Sequence, residues 1–167
     1  EAEYYGPWNS VLFHFFDLSE GYTICPQYPV IFGESDTIDF AVVVRLIVQH
    51  HKSVVFFVEV KAAKFLSSTW KRMEADNQMR HRFLQLYETT PDIIYGVSAF
   101  GTQCSNYHMD KDDDGIIPKV TPAPDPTRVH NGAPMSLWNY DVCTEEGYAK
   151  FAEIVREAKA AGIAKRK

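Results

Sequence analysis

A chain of 167 residues with 46% hydrophobic content can bury a sizeable core in one domain and has little room for a second. Its 17 Lys plus Arg stand against 22 Asp plus Glu, and the net charge of -5 argues against coating nucleic acid through bulk charge, so a polyanion partner needs a local basic patch. Cys25, Cys104 and Cys143 lie far apart with no Cys-x-x-Cys pair, which speaks against a zinc knuckle or redox pair, and no stretch approaches the roughly 20 apolar residues of a membrane span.

In chain order, Glu1-Ala2-Glu3 is compatible with a processing remnant and so with secretion of a longer precursor, although the unpaired cysteine count fits an intracellular protein, soluble in cytoplasm or nucleus. Trp8, Leu12, Phe13, Phe15 and Phe16 predict a first helix over about residues 4–18, with Trp8 in the core and Gly21 as a stop. Tyr22-Thr23-Ile24-Cys25 reads as a strand that meets Pro26 and Pro29 and therefore belongs at an edge; residues 33–36 follow as a turn. Residues 38–50 are β-branched and apolar on both faces, as in a strand covered from both sides. The polar group Gln49-His50-His51-Lys52-Ser53 is a hairpin turn into a second apolar strand that closes on Lys61. Ser67 or Ser68 caps a helix over residues 67–90, with Ala75, Met79, Phe83 and Leu86 as its buried stripe and Pro91 as its stop. Strands over 93–100 and 102–109 join near Gly101, the acidic run from Asp110 to Asp114 forms a solvated turn, and the prolines of 116–136 predict an extended excursion. A final helix over about 144–160 turns Tyr148, Phe151, Ile154 and Val155 inward, before the basic tail Lys165-Arg166-Lys167. The fold class is α/β, a mixed sheet flanked by helices in one domain over 1–167, with its core over about 3–109, the Pro-rich excursion at 110–136 and the closing helix.

Charge at the ends of such apolar strands is the feature that asks for chemistry. By strand alternation Glu59 and Lys61 share a face with Val55 and Phe57, on a strand bound for a core where unpaired charge is costly. Asp39 stands at the start of the other apolar strand. Two carboxylates can hold a hard cation, and an adjacent ammonium can orient water or meet phosphate.

Ile38-Asp39 with Glu59-Val60-Lys61, in this element order, resembles the PD-(D/E)XK nuclease superfamily, whose restriction-endonuclease-like core is αβββαβ. The resemblance implies Asp39 and Glu59 as ligands of Mg²⁺ or Mn²⁺, the Val60 carbonyl as a further ligand, Lys61 as the catalytic lysine and Gln78 as the polar residue on the following helix. Glu3 is the available candidate for the acid that the first helix often contributes. Ile38 replaces the family's Pro. A regular hairpin centred near His51 would set Asp39 opposite about residue 63, more than about 10 Å from Glu59, so the resemblance demands a bulge, an uneven loop or strand splay. Lys64, Lys71, Arg72, Arg80 and Arg82 follow Lys61 with only Glu74 and Asp76 among them, a local excess suited to a phosphate backbone. Tyr-Tyr-Gly-Pro-Trp-Asn together with Val-Glu-Val-Lys also looks like a group of proteins from mushroom-forming fungi.

The blander readings are specific too. Glu-x-Lys on a strand is commonly an exposed ion pair contributing about 0–1 kcal/mol, and Gln78 with Arg82 forms an ordinary solvated helix face. His50 and His51 are turn histidines; His14, His81, His108 and His130 have no ligand spacing, and the acidic run lacks the closing Glu of a calcium loop. The expected function is metal-dependent hydrolysis of DNA or RNA. The alternatives are a toxin-like protein acting on ribosomal RNA by cleavage or base removal, and a nucleic-acid or protein binding module of the same fold without catalysis.

Overall fold

The computed structural model describes residues 2–29, 37–46, 51–113, 115–120 and 131–164. Helix α1 (Tyr5–Phe15) precedes the antiparallel strands β1 (Tyr22–Pro29), β2 (Thr37–Leu46) and β3 (His51–Lys61). Helix α2 (Thr69–Leu86) then crosses to β4 (Ile93–Phe100), parallel to β3, and β5 (Gln103–Asp110) returns antiparallel. Short strands β6 (Gly115–Ile117) and β7 (Tyr140–Asp141) both pair with β5, and α3 (Glu145–Ala164) ends the described chain. Among the described residues the sheet has seven strands, ordered β1-β2-β3-β4-β5-β6 with β7 beside β5. This is an α/β fold, and its opening order of helix, three strands, helix and strand is the one expected from the sequence.

Helices cover both faces because both faces of the central strands are apolar. Trp8 and Leu12 of α1 and Phe16 just after it join Phe151, Ile154 and Val155 of α3 against Phe40, Phe56, Val58 and Val60. Met79, Phe83 and Leu86 of α2 pack with Ile38, Ala41, Val54 and Phe57. Trp8 is in the core as expected, and its indole donates to the Gly101 carbonyl at 3.0 Å, tying α1 to the β4–β5 turn. The Ser68 hydroxyl caps α2 by accepting from the Lys71 amide at 3.4 Å, and Ala75, Met79, Phe83 and Leu86 form the anticipated buried stripe.

The β2–β3 hairpin departs from its expected register in two ways. Leu46 pairs with His51, so His51, Lys52 and Ser53 belong to β3 rather than to the turn expected around them, and residues 47–50 lie outside the described residues. Val42 then pairs with Phe56 while Val43 pairs with Val54, which leaves Val55 as the extra residue of a β-bulge. A one-residue slip exchanges the two faces of a strand. Val54 therefore joins Phe57 beneath α2, whereas Val55 joins Phe56 and Val58 on the α1–α3 face. Glu59 continues the Phe57 face, but the expected partnership with Val55 is overturned.

Smaller differences have local causes. Asp17 accepts from the Ser19 amide and opens a separate 3-10 turn at Leu18–Glu20, closed by Gly21 at φ 85°, so α1 ends at Phe15. β1 runs through Pro26 and Pro29, which its edge position permits. Tyr148 faces outward at 45% exposure, its ring 5.1 Å from that of Phe15 and its hydroxyl 2.9 Å from His14 Nε2. β6, within the proline-containing excursion, and β7, beyond its end, are too short to announce themselves by pattern. The expected turn at 33–36, His50, Asp114, Pro122, Pro124, Pro126, His130 and the basic tail at 165–167 lie outside the described residues. Among those described, no helix is long and apolar enough to cross a membrane.

Candidate active site

Phe40 stands opposite Val58, so continuing the antiparallel register one residue outward sets Asp39 opposite Glu59. Without the extra residue Val55, the position opposite Asp39 would fall to Val58, whose side chain belongs to the other face. The gap expected of a hairpin centred near His51 is closed mainly by the Leu46–His51 register, and the bulge then moves the position opposite Asp39 from Val58 to Glu59.

Asp39 is only 8% exposed and is held from three sides. The Tyr5 hydroxyl, from α1, donates to Oδ1 at 2.5 Å, and the Val60 backbone amide donates to Oδ2 at 2.7 Å. Gln27 Nε2 reaches Oδ1 at 3.4 Å and the Tyr5 oxygen at 3.2 Å. Gln27 does so from a left-handed backbone, φ 51°, between the β1 residues Pro26 and Tyr28 that pair with Phe40 and Ile38. In an extended strand the amide and carbonyl of one residue point to the same side, so Val60 also directs its carbonyl toward β2. The Lys61 carbonyl points the other way and accepts from the Gly101 amide at 2.8 Å.

Glu59 is 2% exposed and answers to α2. Gln78 Nε2 donates to Oε2 at 2.9 Å, and Arg82 Nε donates to Oε1 at 2.8 Å in an ion pair whose side chains are both 3% exposed. Residues four apart on a helix share a face, which is how one carboxylate receives both donors. Arg82 also donates to the Thr37 carbonyl at 2.8 Å and to Gln85 at 2.9 Å, while the Thr37 hydroxyl donates to Gln27 Oε1 at 3.2 Å. Thr37 thereby links the groups holding Asp39 to those holding Glu59. Burial and the nearby charge of Asp39 push the Glu59 carboxyl up to about 7, against the opposing pull of Arg82 and Lys61.

Lys61 is partly exposed, and among the described residues its ammonium makes no hydrogen bond or ion pair. Glu3 is exposed and lines a hollow of about 470 Å³ with Tyr4, Ala62, Lys64 and Phe65, past the end of β3. Among the described residues no three His, Cys, Asp or Glu side chains gather closely enough to hold a metal, so Glu3 is not brought to Asp39 and Glu59. Two carboxylates, Asp39 and Glu59, remain at this end of the hairpin, and each of their oxygens accepts a hydrogen bond from the protein. Mg²⁺ typically uses one or two carboxylates and keeps several waters, and positive charge between two mutually repelling carboxylates would relieve the strain on Glu59.

The basic segment is less available than its composition suggests. Arg72, 5% exposed, spends its guanidinium on the Ala133 and Leu66 carbonyls and the Thr69 hydroxyl at 2.7–3.1 Å. Arg80 grips both oxygens of Asp76 and the Pro118 carbonyl, and Arg82 is the buried partner of Glu59. Lys64 and Lys71 stay near the surface with their ammonium groups over Phe65, at 5.1 and 5.6 Å from its ring centre, and Lys71 also pairs with Glu74 at 2.7 Å. Tyr5 and Gln27 escaped the sequence reading. Tyr5 carries a signal only through its place in the helix expected to contribute an acid, and Gln27 carries none, since nothing marks it for a left-handed conformation.

No protein-family model matches the chain, and no curated protein matches it. Among solved structures, the chain is similar to the type IIG restriction endonuclease BpuSI, with a TM-score of 0.50 and 16% identity. The match covers 91% of this chain and 16% of that one, so the chain spans a small part of that enzyme. The likeness is one of fold, and the fold is restriction-endonuclease-like.

Proposed function

We propose that the chain is a metal-dependent nuclease of the PD-(D/E)XK kind, hydrolysing phosphodiester bonds in DNA or RNA. The observation behind this reading is that the Val55 bulge sets Asp39 opposite Glu59 at the strand end occupied by Lys61. Asp39, Glu59 and the Val60 carbonyl would hold Mg²⁺ or Mn²⁺, which when bound supplies Lewis-acid charge for phosphoryl oxygens and an acidified water. Tyr5, Gln27 and the Val60 amide fix the orientation of Asp39; Gln78 and Arg82 fix that of Glu59. Lys61, with its ammonium uncommitted, donates hydrogen bonds to the attacking water or to a phosphate oxygen. Lys64 and Lys71 lie further along the same chain segment, where they meet neighbouring phosphates.

Single-stranded DNA, duplex DNA, naked RNA and intact ribosomes, each incubated with Mg²⁺ and the purified protein, test the reaction and its substrate. Cleavage that disappears in Asp39→Ala and Lys61→Ala, with the fold retained by circular dichroism, is the expected result; cleavage unchanged in either variant overturns the mechanism. One observation favours a second reading, a binding module without catalysis: all four oxygens of Asp39 and Glu59 already accept hydrogen bonds from the protein. That reading predicts nucleic-acid binding with neither cleavage nor divalent-ion binding.

A further inference from the structure

Beside Asp39 a cleft of about 280 Å³ opens between α1 and the β1–β2 pair. Its walls are mainly apolar and flat: the Tyr5 and Phe40 rings, which meet edge to face at 5.5 Å, and the ring of Pro26. Gly6 and Asn9, one turn apart on α1, complete the helical side. A Cβ built at Gly6 meets nothing within 4 Å, so the cleft is open where this helix would ordinarily carry a side chain. The Asn9 amide is partly buried at this apolar wall and makes no hydrogen bond among the described residues. Gln27, also on the lining, is by contrast occupied with Tyr5, Asp39 and Thr37.

These features describe a ligand. Pockets that enclose a drug-sized molecule run from roughly 300 to 1,000 Å³, so this one has room for a single planar ring system. The partly exposed Tyr5 ring and the exposed Pro26 ring offer surfaces to stack on, with the buried Phe40 ring beneath them, and a side-chain amide offers a donor and an acceptor side by side, the pattern that reads a base edge. Among the described residues the lining of the cleft carries no cationic side chain to hold a phosphate within it, which leaves the neutral part of a nucleotide as the occupant. A base inside a duplex cannot enter without leaving its stack.

We infer that the cleft of Tyr5, Gly6, Asn9, Pro26 and Phe40 is a subsite for one unpaired nucleobase, so that the substrate of the Asp39–Glu59 centre is a single-stranded or locally unpaired nucleic acid. This rests on the nuclease reading for its substrate, but the subsite is measurable without cleavage.

Fluorescence anisotropy in EDTA, with a short labelled single strand, the same sequence as a duplex, and a single strand made abasic throughout, isolates the base contribution. The expected result is binding of the single strand about tenfold tighter than of either other ligand. Gly6→Leu, which covers the opening, and Asn9→Leu, which keeps the branching of the side chain but removes the amide, should each abolish most of that preference. Gly6→Ala extends one methyl into open space and serves as the variant certain to pack, with a smaller loss. Thermal melts establish that each variant folds. Equal or tighter binding of the duplex, undiminished binding of the abasic strand, no binding of any ligand, or an unchanged preference in folded Gly6→Leu and Asn9→Leu overturns the subsite. Absence of Mg²⁺ binding or cleavage overturns the nuclease reading and leaves this measurement standing.

Discussion

Removing the charge of Glu59 by Glu59→Gln should flatten the pH dependence of stability between pH 5 and 8 in the absence of divalent ions. Burial and Asp39 raise its carboxyl from 4.5 to about 7, so between those values the folded protein binds a proton that the unfolded chain has released. Stability therefore falls as pH rises through this window: the favourable contribution is full below 4.5 and gone above about 7. At about 1.36 kcal/mol per pH unit the whole shift corresponds to about 3 kcal/mol, with the opposing pull of Arg82 already contained in it. Urea denaturation of wild type and Glu59→Gln at pH 5 and pH 8, in EDTA, measures the difference, and comparing the two profiles cancels histidines common to both. Because pH 5 already lies above 4.5, wild type should lose about 2.5 kcal/mol more than the variant over this range, and added Mg²⁺ should restore more stability at pH 8 than at pH 5. Parallel profiles would mean that Glu59 stays ionised throughout and that Arg82 outweighs burial and Asp39.

Arg82→Met keeps much of the side chain's bulk but leaves Glu59 without its cation; urea denaturation at pH 8 should show a loss of about 3–5 kcal/mol, smaller at pH 5 where Glu59 takes up a proton. Tyr5→Phe deletes the hydroxyl bonded to Asp39, and denaturation should report a cost of about 1.5–3 kcal/mol at neutral pH, the range for hydrogen bonds to charged groups. Gly96→Ala drives a Cβ to 2.8 Å from the Phe57 ring and should destabilise the protein by about 1–3 kcal/mol, seen as a lowered melting temperature. A melting temperature at or above wild type would show that the ring moves aside freely.

What the sequence revealed of this fold follows from where periodicity was strong. α2 has a capping serine, a long apolar stripe and a terminating proline, and those signals marked it closely; the alternation of turn residues and apolar runs likewise gave β1 to β5 in order. The Val55 bulge left no trace because Val54-Val55-Phe56-Phe57-Val58 is apolar at every position, so no alternation exists to show a change of parity. Histidine, lysine and serine at 51–53 have the polarity of turn residues, yet they begin β3, an interior strand of the sheet. At the site, Asp39, Glu59, Lys61 and Gln78 stood out as residue types in positions where charge or amide is unusual. The inward turn of Arg72, Arg80 and Arg82 was invisible, since composition counts charges without saying which carbonyl or carboxylate receives them.

Calorimetric titration of Mg²⁺ into the wild-type protein and Asp39→Asn at pH 8 tests the central claim most directly. The account predicts saturable binding in wild type that is lost in the folded variant, because Asp39 and Glu59 face one another across the bulged hairpin. No saturable heat in wild type, or the same heat in Asp39→Asn, would contradict it.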